Sequence, residues 1–196
     1  MNLKIAFIGA PKVGKTAFIS RHKTGEFITE HAETKLTQTT NLKFYTNKGK
    51  INITAYENCK NLEEMDAYIL LIDTEDIDSI LYLVNIINII PKKPMVLCFS
   101  KCDLKKQEFN IQLLKKFIKC RYYFISAKSC YNFEKPFTII FEQLYGSIIL
   151  TDAPPKTVKN VEIPENIYIK LPREIYDEIY TSLPKELQEL LKKNII

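Results

Sequence analysis

One stretch near the amino terminus, Gly9-Ala10-Pro11-Lys12-Val13-Gly14-Lys15-Thr16, constrains this chain more than any other. It fits G-x-x-x-x-G-K-[ST], and its flanks suit that pattern. Leu3-Lys4-Ile5-Ala6-Phe7-Ile8 before it is a short apolar run that reads as a buried strand. Ala17-Phe18-Ile19 and the polar Ser20-Arg21-His22-Lys23 after it read as one helix, stopped at Gly25. Glycines at 9 and 14 let the backbone curl so that successive amides point inward, an anion nest at a helix N-terminus. Lys15 then supplies a point charge for the β- and γ-phosphates of a nucleotide, and the Thr16 hydroxyl supplies an oxygen for Mg²⁺. Gly9, Ala10, Pro11, Lys12, Val13, Gly14, Lys15, Thr16 and Ala17 form the candidate phosphate set, and a chance Gly-Lys-Thr turn is the alternative that the flanking strand and helix disfavour.

The rest of the chain alternates two kinds of element. Residues 28–41 are polar and threonine-rich without either period, so a long functional loop is expected there. Leu42, Phe44 and Thr46 alternate with Lys43 and Tyr45; a turn at Asn47-Lys48-Gly49-Lys50 leads to a second alternation, Ile51 to Tyr56. That is a β-hairpin with one face solvated. Ala67 to Ile72 is a continuous apolar run, as in a strand covered on both faces of a parallel sheet. Helix from Ile77 to Ile87, strand Met95–Phe99, helix Phe109–Ile118, strand Tyr122–Ile125 and helix Phe133–Leu144 follow. Such alternation implies right-handed βαβ units and a six-stranded, mainly parallel, doubly wound sheet with one antiparallel hairpin strand. Ligands of such sheets bind beyond the carboxyl ends of the strands, which directs attention to the loops after Gly9, Asp73, Ser100 and Ser126.

Two of those loops bear on the base of a nucleotide. Ser100-Lys101-Cys102-Asp103 follows one strand and Ser126-Ala127-Lys128 the next. A carboxylate at Asp103 can accept from N1–H and the 2-amino group of guanine, which adenine lacks, so it would reject ATP. The Lys101 stem can lie over the base, and the Ala127 amide can reach the guanine O6. Alone, each pattern is an ordinary surface loop; at the ends of successive strands downstream of the phosphate loop, they point to GTP and GDP.

Composition excludes several other classes. The net charge of +5 on 196 residues sits on residues 1–150 and reads as a lysine-rich solvated face rather than a nucleic-acid surface. Five cysteines form no C-x-x-C pair and have only His22 and His31 for company, so reduced thiols are expected rather than a zinc site. No signal peptide, membrane-length apolar run, myristoylation glycine or prenylation cysteine is present, and a monomer without a membrane anchor is expected.

These residues resemble a Ras-superfamily small GTPase, and within it the Ran branch. Arg21-His22-Lys23-Thr24-Gly25-Glu26-Phe27, Phe44-Tyr45-Thr46-Asn47-Lys48-Gly49 and Ile125-Ser126-Ala127-Lys128-Ser129-Cys130-Tyr131-Asn132-Phe133-Glu134-Lys135-Pro136-Phe137 carry the resemblance. It implies a P-loop small-GTPase fold over residues 1–150. It also implies a GTP/GDP- and Mg²⁺-dependent switch in nucleocytoplasmic transport, present in nucleus and cytoplasm. Importin-β-type receptors, an exchange factor and Ran-binding proteins would be its partners. Ser100, Lys101, Asp103, Ser126, Ala127 and Lys128 would hold the base. Thr16, Thr34 and Glu57 would serve Mg²⁺, with Ile72-Asp73 a competing acid because a hydrophobic strand ending in Asp is also a Walker-B signature.

The departures from that pattern concern hydrolysis. Where the family has Asp-Thr-Ala-Gly-Gln, this chain has Glu57-Asn58-Cys59-Lys60-Asn61. Lys60 stands at the glycine whose amide would meet the γ-phosphate, and Asn61 replaces the glutamine that orients water. The stretch to Asp66 is about half the family's length. Lys35-Leu36 follows Thr34 in place of Leu-Gly, and Ser100 replaces an asparagine. Base recognition is therefore expected to be kept but weakened, with hydrolysis slow or lost. A nucleotide-independent pseudo-GTPase that mimics Ran toward transport receptors is the alternative; a P-loop kinase or ATPase is a third, which Asp103 opposes. Residues 151–196 form a Pro-containing linker and helical tail, with stripes at Ile175, Tyr176, Ile179, Tyr180 and Leu183 and at Leu187, Leu190 and Leu191. Those stripes suit either packing on the body or binding a partner.

Overall fold

The computed structural model of the chain describes residues 1–27, 36–73, 75–104 and 118–151. Thr34, most of the expected helix Phe109–Ile118 and the expected tail lie outside those residues.

Period-two side-chain alternation sends the residues of the first strand, β1 (Asn2–Ile8), to both faces of the sheet. Ile5 and Phe7 join one apolar cluster, and Ala6 and Ile8 the other. Its neighbours are β3 (Gly49–Glu57) and β4 (Ala67–Asp73), both parallel to it. Every residue of β4 is buried, as its unbroken apolar run requires of a strand covered on two sides. With β2 (Gln38–Thr46), β5 (Met95–Ser100) and β6 (Arg121–Phe124), the sheet runs β2-β3-β1-β4-β5-β6, and only β2 against β3 is antiparallel. This is the six-stranded, doubly wound arrangement that the sequence implies.

One face is covered by α1 (Lys15–Thr24) and α3 (Lys135–Tyr145). An aromatic cluster joins them to the sheet: Phe18 lies 5.9 Å from Phe137, stacked, and 5.0 Å from Phe133, edge-on. The His22 ring stacks on Phe133 at 3.6 Å and faces Phe44 of β2. Desolvation there lowers the His22 pKa to about 3, although the carbonyls of Phe18 and Phe133 favour its proton. The other face is covered by α2 (Ile77–Ile86), which a 3₁₀ turn extends to Ile89.

Two boundaries differ from expectation. β2 begins at Gln38, inside the stretch read as loop, because its polar residues 38–41 pair through their backbone with residues 54–57 of β3. The last helix begins at Lys135 rather than Phe133, since Pro136 near its first position lacks the N–H that a helix interior would use.

The crossover from β3 to β4 is short. A parallel crossover usually takes about a dozen residues and a helix; here residues 58–66 carry the chain past β1, which lies between β3 and β4, with one 3₁₀ turn, Leu62–Glu64. Groups of the folded body hold its carbonyls. The Tyr68 hydroxyl donates to the Leu62 carbonyl at 2.7 Å, and the Lys93 ammonium to those of Glu63 at 2.5 Å and Met65 at 2.8 Å. Burial pushes the Tyr68 phenol up to about 12, so it stays a donor. At the far end, Asp66 exchanges two bonds with the Lys4 backbone, its carboxylate accepting at 2.7 Å and its amide donating at 2.8 Å.

Candidate functional site

The phosphate loop leaves the carboxyl end of β1, which lies between β3 and β4, on the side where open α/β sheets bind ligands. Glycine is required at both ends for different reasons. At Gly9 a Cβ would lie 2.4 Å from the Leu71 carbonyl oxygen, a backbone atom of β4 that cannot step aside. At Gly14, the N-cap of α1, φ is +97°. Lys12 also takes a left-handed φ of 65°, despite its side chain. Together these turns build the concave loop ahead of α1 that an anion nest needs.

Lys15 is 8% exposed, and its ammonium donates to the carbonyls of Gly9 and Ala10 at 2.8 Å each. Burial lowers its pKa, and the charge of Glu57 works the other way. Glu57 ends β3 opposite Phe7 in register, 3% exposed, and its Oε2 accepts from the Thr16 hydroxyl at 2.5 Å. A hydroxyl and a buried carboxylate beside a phosphate nest are the hard oxygens that Mg²⁺ takes, so the residues present fit that ion. Asp73 is engaged elsewhere. Its Oδ2 pairs with the Lys101 ammonium at 2.7 Å, and its Oδ1 accepts from the Glu75 amide at 3.1 Å. Nor does it cap the following helix, as its place at the strand end allowed: Asp76 does, accepting from the Asp78 amide.

Beside the loop lies a cavity of about 260 Å³. Val13, Gly14, Ala17, Ser100, Lys101, Asp103, Ala127 and Lys128, all candidates from the sequence, line it. Lys101 reaches its place through a tight turn with φ 56°, closed by the Leu104 amide on the Lys101 carbonyl. Ser126 is fully buried; its hydroxyl donates to Asp103 Oδ1 at 2.5 Å and accepts from the Ser129 amide at 3.0 Å. It therefore orients the Asp103 carboxylate from behind the wall. Phe27 and Leu104 also line the cavity. Sequence reasoning assigned neither, although Phe27 is the one aromatic residue between Gly25 and Phe44 in a polar stretch.

Ser100 does more than its small side chain suggests. Its hydroxyl lies 2.7 Å from the Val13 carbonyl and 3.0 Å from that of Ile72, so it ties the phosphate loop to the ends of β4 and β5. Replacing an amide by a hydroxyl here keeps a tether between the phosphate and base sides of the crevice.

A family model, the Ras family, matches residues 4–146, most of the chain. The chain belongs to the Ras family. Ras-family proteins bind GTP and GDP with Mg²⁺, and the phosphate loop, the cavity and the Thr16–Glu57 pair occupy the carboxyl-end crevice of a sheet built in that family's way. Departures from the Ras-family pattern cluster after β3. Asn58 takes a left-handed φ of 51° and its carbonyl accepts from the Thr37 hydroxyl. Lys60 is exposed. The Asn61 amide donates to Glu64 at 2.7 Å, so it is committed within its own turn. Among the described residues no helix is long and apolar enough to cross a membrane.

Proposed function

We propose that this Ras-family protein is a Ran-like guanine-nucleotide-binding protein that acts in, or interferes with, nucleocytoplasmic transport and hydrolyses GTP slowly if at all. The observation that carries nucleotide binding is the 260 Å³ cavity flanked by the Lys15 loop and walled by Lys101, Asp103 and Ala127. Support for the Ran branch comes from the segment Ile125–Phe137 and from the shorter stretches at 21–27 and 44–49. In this reading Thr16, Thr34 and Glu57 serve Mg²⁺, and importin-β-type receptors, an exchange factor and Ran-binding proteins are the partners. The protein would be found in nucleus and cytoplasm.

The second reading, a nucleotide-independent mimic of Ran, is favoured by one specific feature. Residues 62–66 are held by Tyr68, Lys93 and Lys4, none of which belongs to the phosphate loop or lines the cavity. A segment fixed in that way gives a receptor the same surface in both nucleotide states.

Denaturing the freshly purified protein and identifying the released nucleotide tests the first reading. Guanine nucleotide is expected; release of adenine nucleotide, or tighter titration by ATP than by GTP, would overturn it. Capture of importin-β by protein loaded with GTP, with GDP or left empty separates the two readings. A GTP requirement supports the switch, and equal capture in all three states supports the mimic.

A further inference from the structure

The acid that ends β4 has no evident share in the chemistry of a nucleotide site, yet it is 7% exposed and its carboxylate is fully engaged. Asp73 is the register partner of Ser100, the last residue of β5, so it stands one residue away from the turn that presents Lys101. That turn is unusual. Lys101 holds a left-handed φ of 56°, which a residue with a side chain adopts at a cost and keeps only where surroundings enforce it. Backbone bonds hold the turn, from the Cys102 amide to the Ile125 carbonyl and from the Leu104 amide to the Lys101 carbonyl, and side chains then place the lysine. The Asp73 carboxylate takes its ammonium at 2.7 Å, and the neighbouring Ser100 hydroxyl fixes the strand end from below. Asp73 is in turn fixed by the Glu75 amide on its other oxygen, and Ser79 holds its backbone, accepting from the Asp73 amide and lying within 3.0 Å of its carbonyl.

We infer that Asp73 is the positioning residue of the base cavity: by holding the Lys101 ammonium, it lays the Lys101 stem down as a rigid wall against the base. The inference rests on the guanine-nucleotide reading and deepens it. A lysine stem has four rotatable bonds, and an unanchored one would be ordered only when ligand arrived. An ion pair made before binding removes that cost and lengthens the residence of the nucleotide rather than speeding its arrival. Its place on the base side, with the ammonium drawn toward β4, separates this carboxylate from the Thr16–Glu57 pair on the phosphate side.

The test is release of a fluorescent GDP analogue from full-length protein, with Mg²⁺ and after chelation by EDTA. Asp73→Asn and Lys101→Met are each expected to speed release about tenfold, less than for truncating one partner of a fully buried pair because the Lys101 side chain is 37% exposed, and the double variant no more than either. In all three, chelation should accelerate release by the wild-type factor, whereas Glu57→Gln should lose most of that response. Additive effects of D73N and K101M, no effect of D73N, or a D73N protein that has lost the chelation response would each overturn the inference. Should D73N not fold, Lys101→Met decides alone: faster release with an intact chelation response supports the wall, and release at the wild-type rate rejects it. A wild-type protein that holds no guanine nucleotide would overturn the parent reading itself, so the two failures are distinct.

Discussion

Single atoms in this molecule carry constraints out of proportion to their size. Gly9 is one case. Its missing Cβ is what lets the phosphate loop pass the β4 backbone, and Gly9→Ala would force a carbon within 2.4 Å of the Leu71 carbonyl oxygen. Because the obstacle is main chain inside a packed sheet, the strain has no cheap outlet, and a loss of about 2–3 kcal/mol is expected in urea unfolding. Ser100 is the second. Ser100→Ala leaves the Val13 and Ile72 carbonyls without this buried donor, at a cost of about 1–2 kcal/mol, and it unties the phosphate loop from the base turn. Nucleotide release should therefore quicken along with the fall in stability. Stability that fell while release stayed at the wild-type rate would show that the tether serves the fold alone.

At the scale of elements, the aromatic seam between α1, α3 and β2 makes the fold sensitive to acid. His22 is held neutral there, with a pKa of about 3 against about 6.5 in an unfolded chain. Between those values the unfolded state binds the proton and the folded state does not. Stability is thus full above about pH 6.5 and falls as pH drops toward 3, by about 2–3 kcal/mol at about pH 4.5. His22→Phe, which keeps a flat ring against Phe133, should flatten that slope in urea titrations at a series of pH values. A slope that survives the substitution would assign the acid sensitivity to carboxylates instead. The elements themselves were largely legible in the sequence, because burial on two faces or one leaves a periodic mark: β4 as an unbroken apolar run, the β2–β3 hairpin as alternation. The start of β2 at Gln38 was not, since backbone pairing of polar residues leaves no such mark. In the site, the loop, Lys101, Asp103 and Ala127 followed from motif and strand order. The role of Ser100 did not, because its acceptor lies 87 residues earlier and is a carbonyl that every residue type has. Nor did the Lys101 ion pair of Asp73, because two strand-end acids looked alike in the sequence and a lysine 28 residues later carries no mark of its partner.

For the molecule as a whole, the proposed reading keeps the phosphate-facing half of a GTPase and weakens the half that positions water. The nest, Lys15, Thr16 and Glu57 sit together, while Asn61 spends its amide on Glu64 in a turn that Tyr68 and Lys93 fasten to the body. Loss of one positioned donor has cost about 3–4 kcal/mol of transition-state stabilisation in another enzyme class. Single-turnover GTP decay should accordingly run at least about tenfold below the intrinsic Ras rate of about 4 × 10⁻⁴ s⁻¹, with no response to a Ran activating protein. The anchoring makes a sharper demand. If side-chain length were the defect, Asn61→Gln would restore hydrolysis; if the turn is fixed away from the phosphate, it would not. No gain is expected from that substitution, because Tyr68 and Lys93 hold backbone carbonyls on either side of Glu63 and leave the longer amide in the same place. An Asn61→Gln protein hydrolysing GTP at the Ras rate would mean that residues 58–66 rearrange around nucleotide after all, and with that the case for a fixed, nucleotide-blind surface would fall.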